Sequence, residues 1–255
     1  MTTAGIHFQH ITDEGQVLEK ILSRDKPFFA YIVPNLLDKE MTFESGGEIY
    51  ERLHSKENYY LDWFNEAMKE NKNNPNMRGV QEGYRHCCER CFDAGRDPYH
   101  EHVCLDGVSQ NFEEQIGVIR KGKSLIKDKT GVTPWAYCPP NHLFDLNTTE
   151  SAIASGFEKF IIRNAFDYIG LNVKIPAYGE YIIKMIPESK LGQGKKSPII
   201  ATYYDSLVNG QLDDFMKILD NSSFCSPIRR KPTIKIWANN KLLIQAKKFR
   251  ERKRR

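Results

Sequence analysis

The stretch that decides the fold is Asn111 to Pro140, NFEEQIGVIRKGKSLIKDKTGVTPWAYCPP. Asn111-Phe112-Glu113-Glu114 is a helix-start signal, an Asn cap followed by Glu at the third helical position. Ile116, Ile119, Leu125 and Ile126 follow at helical spacing and give the segment one apolar stripe. Trp135 to Cys138 is a short strand-type run that stops at Pro139-Pro140, because proline supplies no N–H to a ladder. A helix running straight into a strand is the building unit of a parallel α/β sheet.

The same alternation extends outward in both directions. Toward the N-terminus, Ile6 to Ile11 reads as a strand and Val17, Leu18, Ile21 and Leu22 as one face of a short helix. Phe28 to Val33 is an unbroken apolar run of the kind buried on both faces. Glu48 to Lys69 reads as a helix carrying Leu53, Tyr60, Trp63 and Phe64, and Met77 to Val80 as a short strand. Gly83 to Gly107 is a long irregular stretch. Toward the C-terminus, Asn147-Thr148-Thr149-Glu150 is expected to cap a helix closed by Ser155-Gly156. Phe160–Arg163, Tyr181–Ile186 and Ile199–Tyr203 are further strands, with a late helix over Gln211–Leu219. About seven strands with interposed helices specify a parallel β/α barrel or an open doubly wound sheet. In both, chemistry gathers at the carboxyl ends of the strands. There is no internal repeat, no G-x-G-x-x-G and no P-loop, so those routes to nucleotide binding are unsupported.

Composition agrees with a globular α/β chain. Of 255 residues, 40% are hydrophobic and 11% aromatic, which is enough apolar surface to exclude disorder. The longest strongly apolar run, Phe28–Val33, is far short of the ~20 residues that span a bilayer. No basic segment followed by an apolar one opens the chain, so a cytoplasmic location is expected. The net charge of +4 is misleading, because residues 246–255 (AKKFRERKRR) hold seven basic residues and one acid, leaving −2 for the rest. The body is therefore not a nucleic-acid surface. The tail is either a solvated terminus or a segment able to touch an anionic membrane face.

Three segments after expected strands hold reactive side chains. Ile11-Thr12-Asp13-Glu14-Gly15 carries two adjacent carboxylates, which suit a cation ligand beside a proton acceptor and equally suit an acidic helix N-terminus. In Gln81-Glu82-Gly83-Tyr84-Arg85-His86, Glu82 and His86 are four apart and would share one helical face, as a cation site or a surface pair. Pro139-Pro140-Asn141-His142 offers a stiff wall with polar donors, or a rigid turn. Separately, Cys87, Cys88, Cys91 and Cys104 are interleaved with His86, His100 and His102. Cys88, Cys91, His102 and Cys104 could hold a structural zinc ion; alternatively the cysteines are simply buried, or His100, Glu101 or His102 joins the active site.

The three strand-end segments, in this order, resemble the polysaccharide deacetylase family, carbohydrate esterase family 4. Ile11–Gly15 is similar to its Thr-Phe-Asp-Asp-Gly segment, Glu82–His86 to its His-x-x-x-His segment, and Cys138–Asn141 to its Arg-Pro-Pro-Tyr-type segment. The likeness spans roughly Ile6 to Tyr204, with its most specific part from Glu113 to Phe157, and its flavour is that of deacetylase-like proteins of O-antigen and lipopolysaccharide gene clusters. The resemblance implies a distorted (β/α)7 barrel forming one domain over residues 1–245, with 83–107 as an inserted Cys/His-rich loop. It implies a metal-dependent N-deacetylase with Asp13 as base and Glu14, Glu82 and His86 as ligands. Zinc is the expected ion, with manganese, iron, cobalt or nickel as alternatives. Tyr84, Pro140 and Asn141 would line the substrate, an N-acylated sugar in free, nucleotide-linked or lipid-linked form. Two departures stand out: Tyr137-Cys138 replaces the family's Arg, and Ala201-Thr202-Tyr203-Tyr204-Asp205 replaces its last-strand Leu-x-His. The general acid is left unassigned, with His142 or His100 as the substitute. A non-catalytic, carbohydrate-binding descendant is the alternative.

Overall fold

The computed structural model describes residues 2–8, 13, 15–34, 40–45, 48–53, 62–95, 100–104, 109–163, 182–187 and 199–224. Glu14, residues 96–99 and 105–108, and the basic tail lie outside the described residues. Seven strands close into a barrel in the order β1 (Thr3–Phe8), β2 (Phe28–Ile32), β5 (Met77–Glu82), β6 (Ala136–Cys138), β7 (Lys159–Arg163), β8 (Ile182–Pro187) and β9 (Ile199–Tyr203). Every neighbouring pair is parallel, and β9 returns to β1 with Gly5 opposite Ala201. This is the expected (β/α)7 barrel.

Strand alternation divides the core in two. Ala4, Ile6 and Phe8 of β1 and Phe28, Ala30 and Ile32 of β2 face outward, against α1 (Gln16–Leu22), α2 (Asp62–Glu70) and α7 (Leu212–Asp220). Phe29, Tyr31, Val80, Ala136, Cys138, Ile161, Ile199 and Ala201 fill the lumen. Each such fully buried Phe or Ile contributes roughly 1.5–3 kcal/mol over its exposed form. At the amino end of the strands, the Arg78 guanidinium lies 4.3 Å from the Phe224 ring centroid and 5.1 Å from that of Trp135. Trp135 in turn stacks on Phe29, with centroids 5.4 Å apart. Arg78, Trp135, Phe29 and Phe224 thus close the amino end of the lumen.

The helix at 111 forms as its sequence dictates. In α4 (Phe112–Thr130), Asn111 Oδ1 accepts the Glu114 N–H at 3.0 Å while Glu114 Oε2 accepts the Asn111 N–H at 2.8 Å. Two elements differ from expectation. Glu48–Leu53 is not helical: it forms β4, paired antiparallel with β3 (Glu40–Ser45), and the helix is confined to α2. Gly46-Gly47 between the two strands is a dipeptide that favours tight hairpins, and this outweighed the apparent helical spacing. In α5 (Leu146–Ala154) the cap is Asp145 rather than Asn147, with Asp145 Oδ1 accepting the Thr148 N–H at 2.8 Å. A short α3 (Glu89–Asp93) interrupts the stretch after β5, and α6 (Tyr204–Ser206) leads through a π turn at Leu207–Gln211 into α7. No helix among the described residues is long and apolar enough to cross a membrane.

Candidate active site at the carboxyl end of the barrel

Glu82, the last residue of β5, points into the mouth of the barrel between two imidazoles. His7 Nδ1–H donates to Glu82 Oε2 at 2.8 Å, and His86 Nε2 lies 3.5 Å from Glu82 Oε1. All three side chains are buried. Burial opposes the charge on Glu82, but the pull of His7, its hydrogen bond and the contribution of His86 outweigh it. The carboxyl is held well below its ordinary range. A carboxylate can only accept, so His7 carries a proton on Nδ1 and a neutral ring has Nε2 available as a base. Tyr31 stacks on His7 at 4.2 Å and Tyr203 packs against it at 5.0 Å. The Tyr31 hydroxyl is buried with no hydrogen-bond partner among the described residues, and burial, Cys138 and Glu82 push its pKa well up.

Glu82 and His86 are not on a helix. Gly83 (φ +60°) and His86 (φ +53°) bend the chain through left-handed conformations, and Gly83 N–H donates to the Cys138 carbonyl at 3.1 Å. A side chain at Gly83 would run into Pro140 and the Glu101 carboxylate, so the turn needs glycine for space as well as for its φ. Glu101 Oε2 then accepts three consecutive backbone N–H groups, from Tyr84 (2.6 Å), Arg85 (3.2 Å) and His86 (3.3 Å). A buried carboxylate thus holds the turn that presents His86.

His100 and His102, either side of Glu101, go to different places. His102 Nδ1–H donates to Gln110 Oε1 at 3.0 Å, and His102 Nε2 accepts the Tyr137 hydroxyl at 2.5 Å. Both ring nitrogens are therefore spent, and His102 is not the expected fourth member of the cysteine cluster. His100 takes that place: ligand atoms of Cys88, Cys91, His100 and Cys104 all lie within 4.8 Å of one another, and all four residues are buried. Cys88 Sγ is 3.0 Å from Cys104 Sγ, and His100 Nε2 is 3.2 Å from Cys91 Sγ. Burial opposes ionisation of Cys88, yet hydrogen bonds from His100, Cys104 and Cys91 bring it down to about 6. Burial and the neighbouring Cys88 push Cys104 up to about 12.

The remaining expected residues scatter around this centre. Asp13 sits before α1, where its Oδ2 accepts the Val17 N–H at 3.0 Å and its buried Oδ1 has no hydrogen-bond partner among the described residues. Burial, with Asp13 beside it, raises the Tyr204 phenol. Among the described residues, no hydrogen bond or ion pair joins Asp13 to Glu82 or His86. Glu14, the other carboxylate of that pair, lies outside the described residues. Pro140 is buried against Gly83, Asn141 is exposed, and His142 approaches Cys138, with Nδ1 and Sγ 3.8 Å apart. Asn141 and His142 both have positive φ, 49° and 57°. Tyr84 is buried beneath the Lys121 ammonium, 5.3 Å above its ring.

His7 was absent from the expected site because the first strand ends at Phe8, three residues before Ile11. The signal was the alternation itself: with Ile6 and Phe8 outward, His7 must face the lumen. For cation binding, Glu82 Oε1 and His86 Nε2 offer a carboxylate oxygen and an imidazole nitrogen. Their 3.5 Å separation is a long hydrogen bond. It matches the ~3.4 Å edge of a tetrahedral site with bonds of about 2.1 Å. The pair fits zinc or a similar divalent ion.

No family model matches the chain, and no curated protein matches it. Solved structures do. A family 4 carbohydrate esterase from Streptomyces lividans, in complex with acetate, is 9% identical over 89% of this chain and 95% of its own, with a TM-score of 0.50. A family 4 acetyl xylan esterase from Clostridium thermocellum, in complex with a cobalt ion, is 12% identical over 86% and 84%, with a TM-score of 0.47. The chain spans 63% of a de-N-acetylase from Aggregatibacter actinomycetemcomitans, at 10% identity, with 64% of this chain covered and a TM-score of 0.42. What the chain shares with the Streptomyces lividans enzyme is the fold of a family 4 carbohydrate esterase.

Proposed function

We propose that this protein is a metal-dependent deacetylase-like hydrolase of N-acylated sugars, in nucleotide- or lipid-linked form, serving surface-glycan synthesis. The observation that carries the reading is Glu82, a buried carboxylate shared between His7 and His86 at the carboxyl end of the strands. Glu82 Oε1 and His86 Nε2 would hold the cation, with Glu14 as a third donor. The chemistry such a cation would supply is polarisation of an acyl carbonyl and a lowered pKa of water. His7, oriented through Nδ1 by Glu82, would take the proton at Nε2. It is proposed here in place of Asp13, whose Oδ2 accepts the Val17 N–H in the first turn of α1. His142 would return a proton to the leaving nitrogen. Tyr203, 43% exposed beside His7, offers an aromatic face to a sugar ring.

The test is acetate release from nucleotide-linked and lipid-linked N-acetylhexosamines with zinc, cobalt or manganese added. Wild-type protein should release acetate, and Glu82→Gln and His7→Asn should each lose roughly 10²–10⁴-fold in rate. No release with any ion would favour the second reading, a carbohydrate-binding protein that retains the fold. That reading draws on Cys138 and Tyr203. Cys138, in the lumen, aligns with the family's Arg, and Tyr203 lies within the segment replacing the last-strand Leu-x-His.

A further inference from the structure

We propose that Cys88, Cys91, His100 and Cys104 form a structural zinc site that holds Glu101 under the Tyr84–His86 turn and so fixes His86 at the barrel mouth. The donors are three thiols and an imidazole, the set that tetrahedral zinc favours over harder ions. They come from two segments: Cys88 and Cys91 bracket the start of α3, and His100 and Cys104 lie beyond it. Their convergence within 4.8 Å agrees with a tetrahedron of ~2.3 Å Zn–S and ~2.1 Å Zn–N bonds, whose edges are about 3.6–3.8 Å. The 3.0 Å thiol pair and the 3.2 Å imidazole–thiol pair are shorter than those edges and would part by about 0.8 Å and about 0.4 Å around an ion. A disulfide between Cys88 and Cys104 would use two of the four groups and leave His100 and Cys91 outside it. A zinc ion uses all of them.

The consequence follows from sequence adjacency. Glu101 is flanked by His100, which belongs to the metal cluster, and by His102, which is anchored on Tyr137. With both neighbours tied, the Glu101 carboxylate stays where three backbone N–H groups meet it. Glu101 is a positioning residue: it acts on His86 through the backbone. The site stands independently of the hydrolase reading, and only its effect on His86 bears on that reading.

The test uses the full chain, purified without metal-affinity chromatography. About one zinc per chain is expected, and cobalt exchange should give intense thiolate-to-cobalt charge-transfer bands with tetrahedral ligand-field absorption. Absence of those bands in wild-type protein, or a Cys88–Cys104 disulfide in its peptide map, overturns the site. His102→Ala should keep the bands, and Cys104→Ser should lose them. Because the first measurement needs no variant, a misfolded substitution cannot blur it. Amide hydrogen exchange over residues 84–86 tests the coupling. Glu101→Gln with the metal retained should exchange there roughly tenfold faster, the scale of one lost charge-assisted hydrogen bond. Unchanged exchange overturns the coupling. Cobalt at Glu82 and His86 has no sulfur donor and gives no thiolate band, so failure of acetate release and failure of this site are read separately.

Discussion

At the carboxyl end of the barrel a single carboxylate is shared by two imidazoles; in the loop beyond it a single imidazole is surrounded by three thiols. The first group is assembled from strands, with His7 and Glu82 on β1 and β5 of a closed sheet. The second is assembled from loop and short helix, where few backbone hydrogen bonds would otherwise order the chain. Donor chemistry follows that difference. Oxygen and nitrogen suit an ion that exchanges water and substrate, whereas thiolates suit one that stays closed and stabilises its surroundings. Glu101 joins the two regions, since its side chain serves the first and its neighbour His100 belongs to the second.

The sharpest way to break this division is to damage one group and watch the other. Glu82→Gln should have the largest effect, lowering acetate release by about 10²–10⁴-fold while leaving thiolate-to-cobalt absorption intact. Loss of both signals would mean the two regions are one site. Gly83→Ala comes next. It forces a Cβ onto Pro140 and Glu101 at φ +60°, and urea denaturation should show a loss of about 2–4 kcal/mol. Glu101→Gln keeps the shape but removes the charge that three N–H groups share, and should cost about 1.5–3 kcal/mol. If it costs nothing, the turn is held by Gly83 and Pro140 alone. Asn111→Ala, remote from both groups, should cost only about 1 kcal/mol through its lost cap and leave metal content and rate unchanged.

Much of the frame was legible because it rests on local rules. The Asn111–Glu114 capping box, the doubly buried Phe28–Ile32 strand and the stop at Pro139 each state their structure within a few residues. Glu82 and His86 were found by proximity in sequence, although a left-handed turn, and not a helix, brings them together. His7 was missed because a strand boundary moved by three residues, which changed which side chain ended the strand. The choice of His100 over His102 could not be read from H-x-H spacing, since both are buried and only their partners differ. The three-amide cradle of Glu101 is a backbone feature that no side-chain pattern encodes.

The first strand is also stitched to the far end of the described chain. Ser223 N–H donates to the Thr2 carbonyl at 3.0 Å, Thr3 Oγ1–H to the Ser223 carbonyl at 2.7 Å, and Ala4 N–H to Ser222 Oγ at 2.9 Å. These bonds bridge sequence separations of 218 to 221 residues. On a ribosome, β1 emerges first and waits for β9 and these serines before its second edge is covered. Until then an apolar strand presents an open ladder, which is the condition under which chains pair with the wrong partner. Barrel closure is therefore a late and non-local event in the folding of this protein, since the first strand's edge is covered only when Ser222 and Ser223 reach Thr2–Ala4.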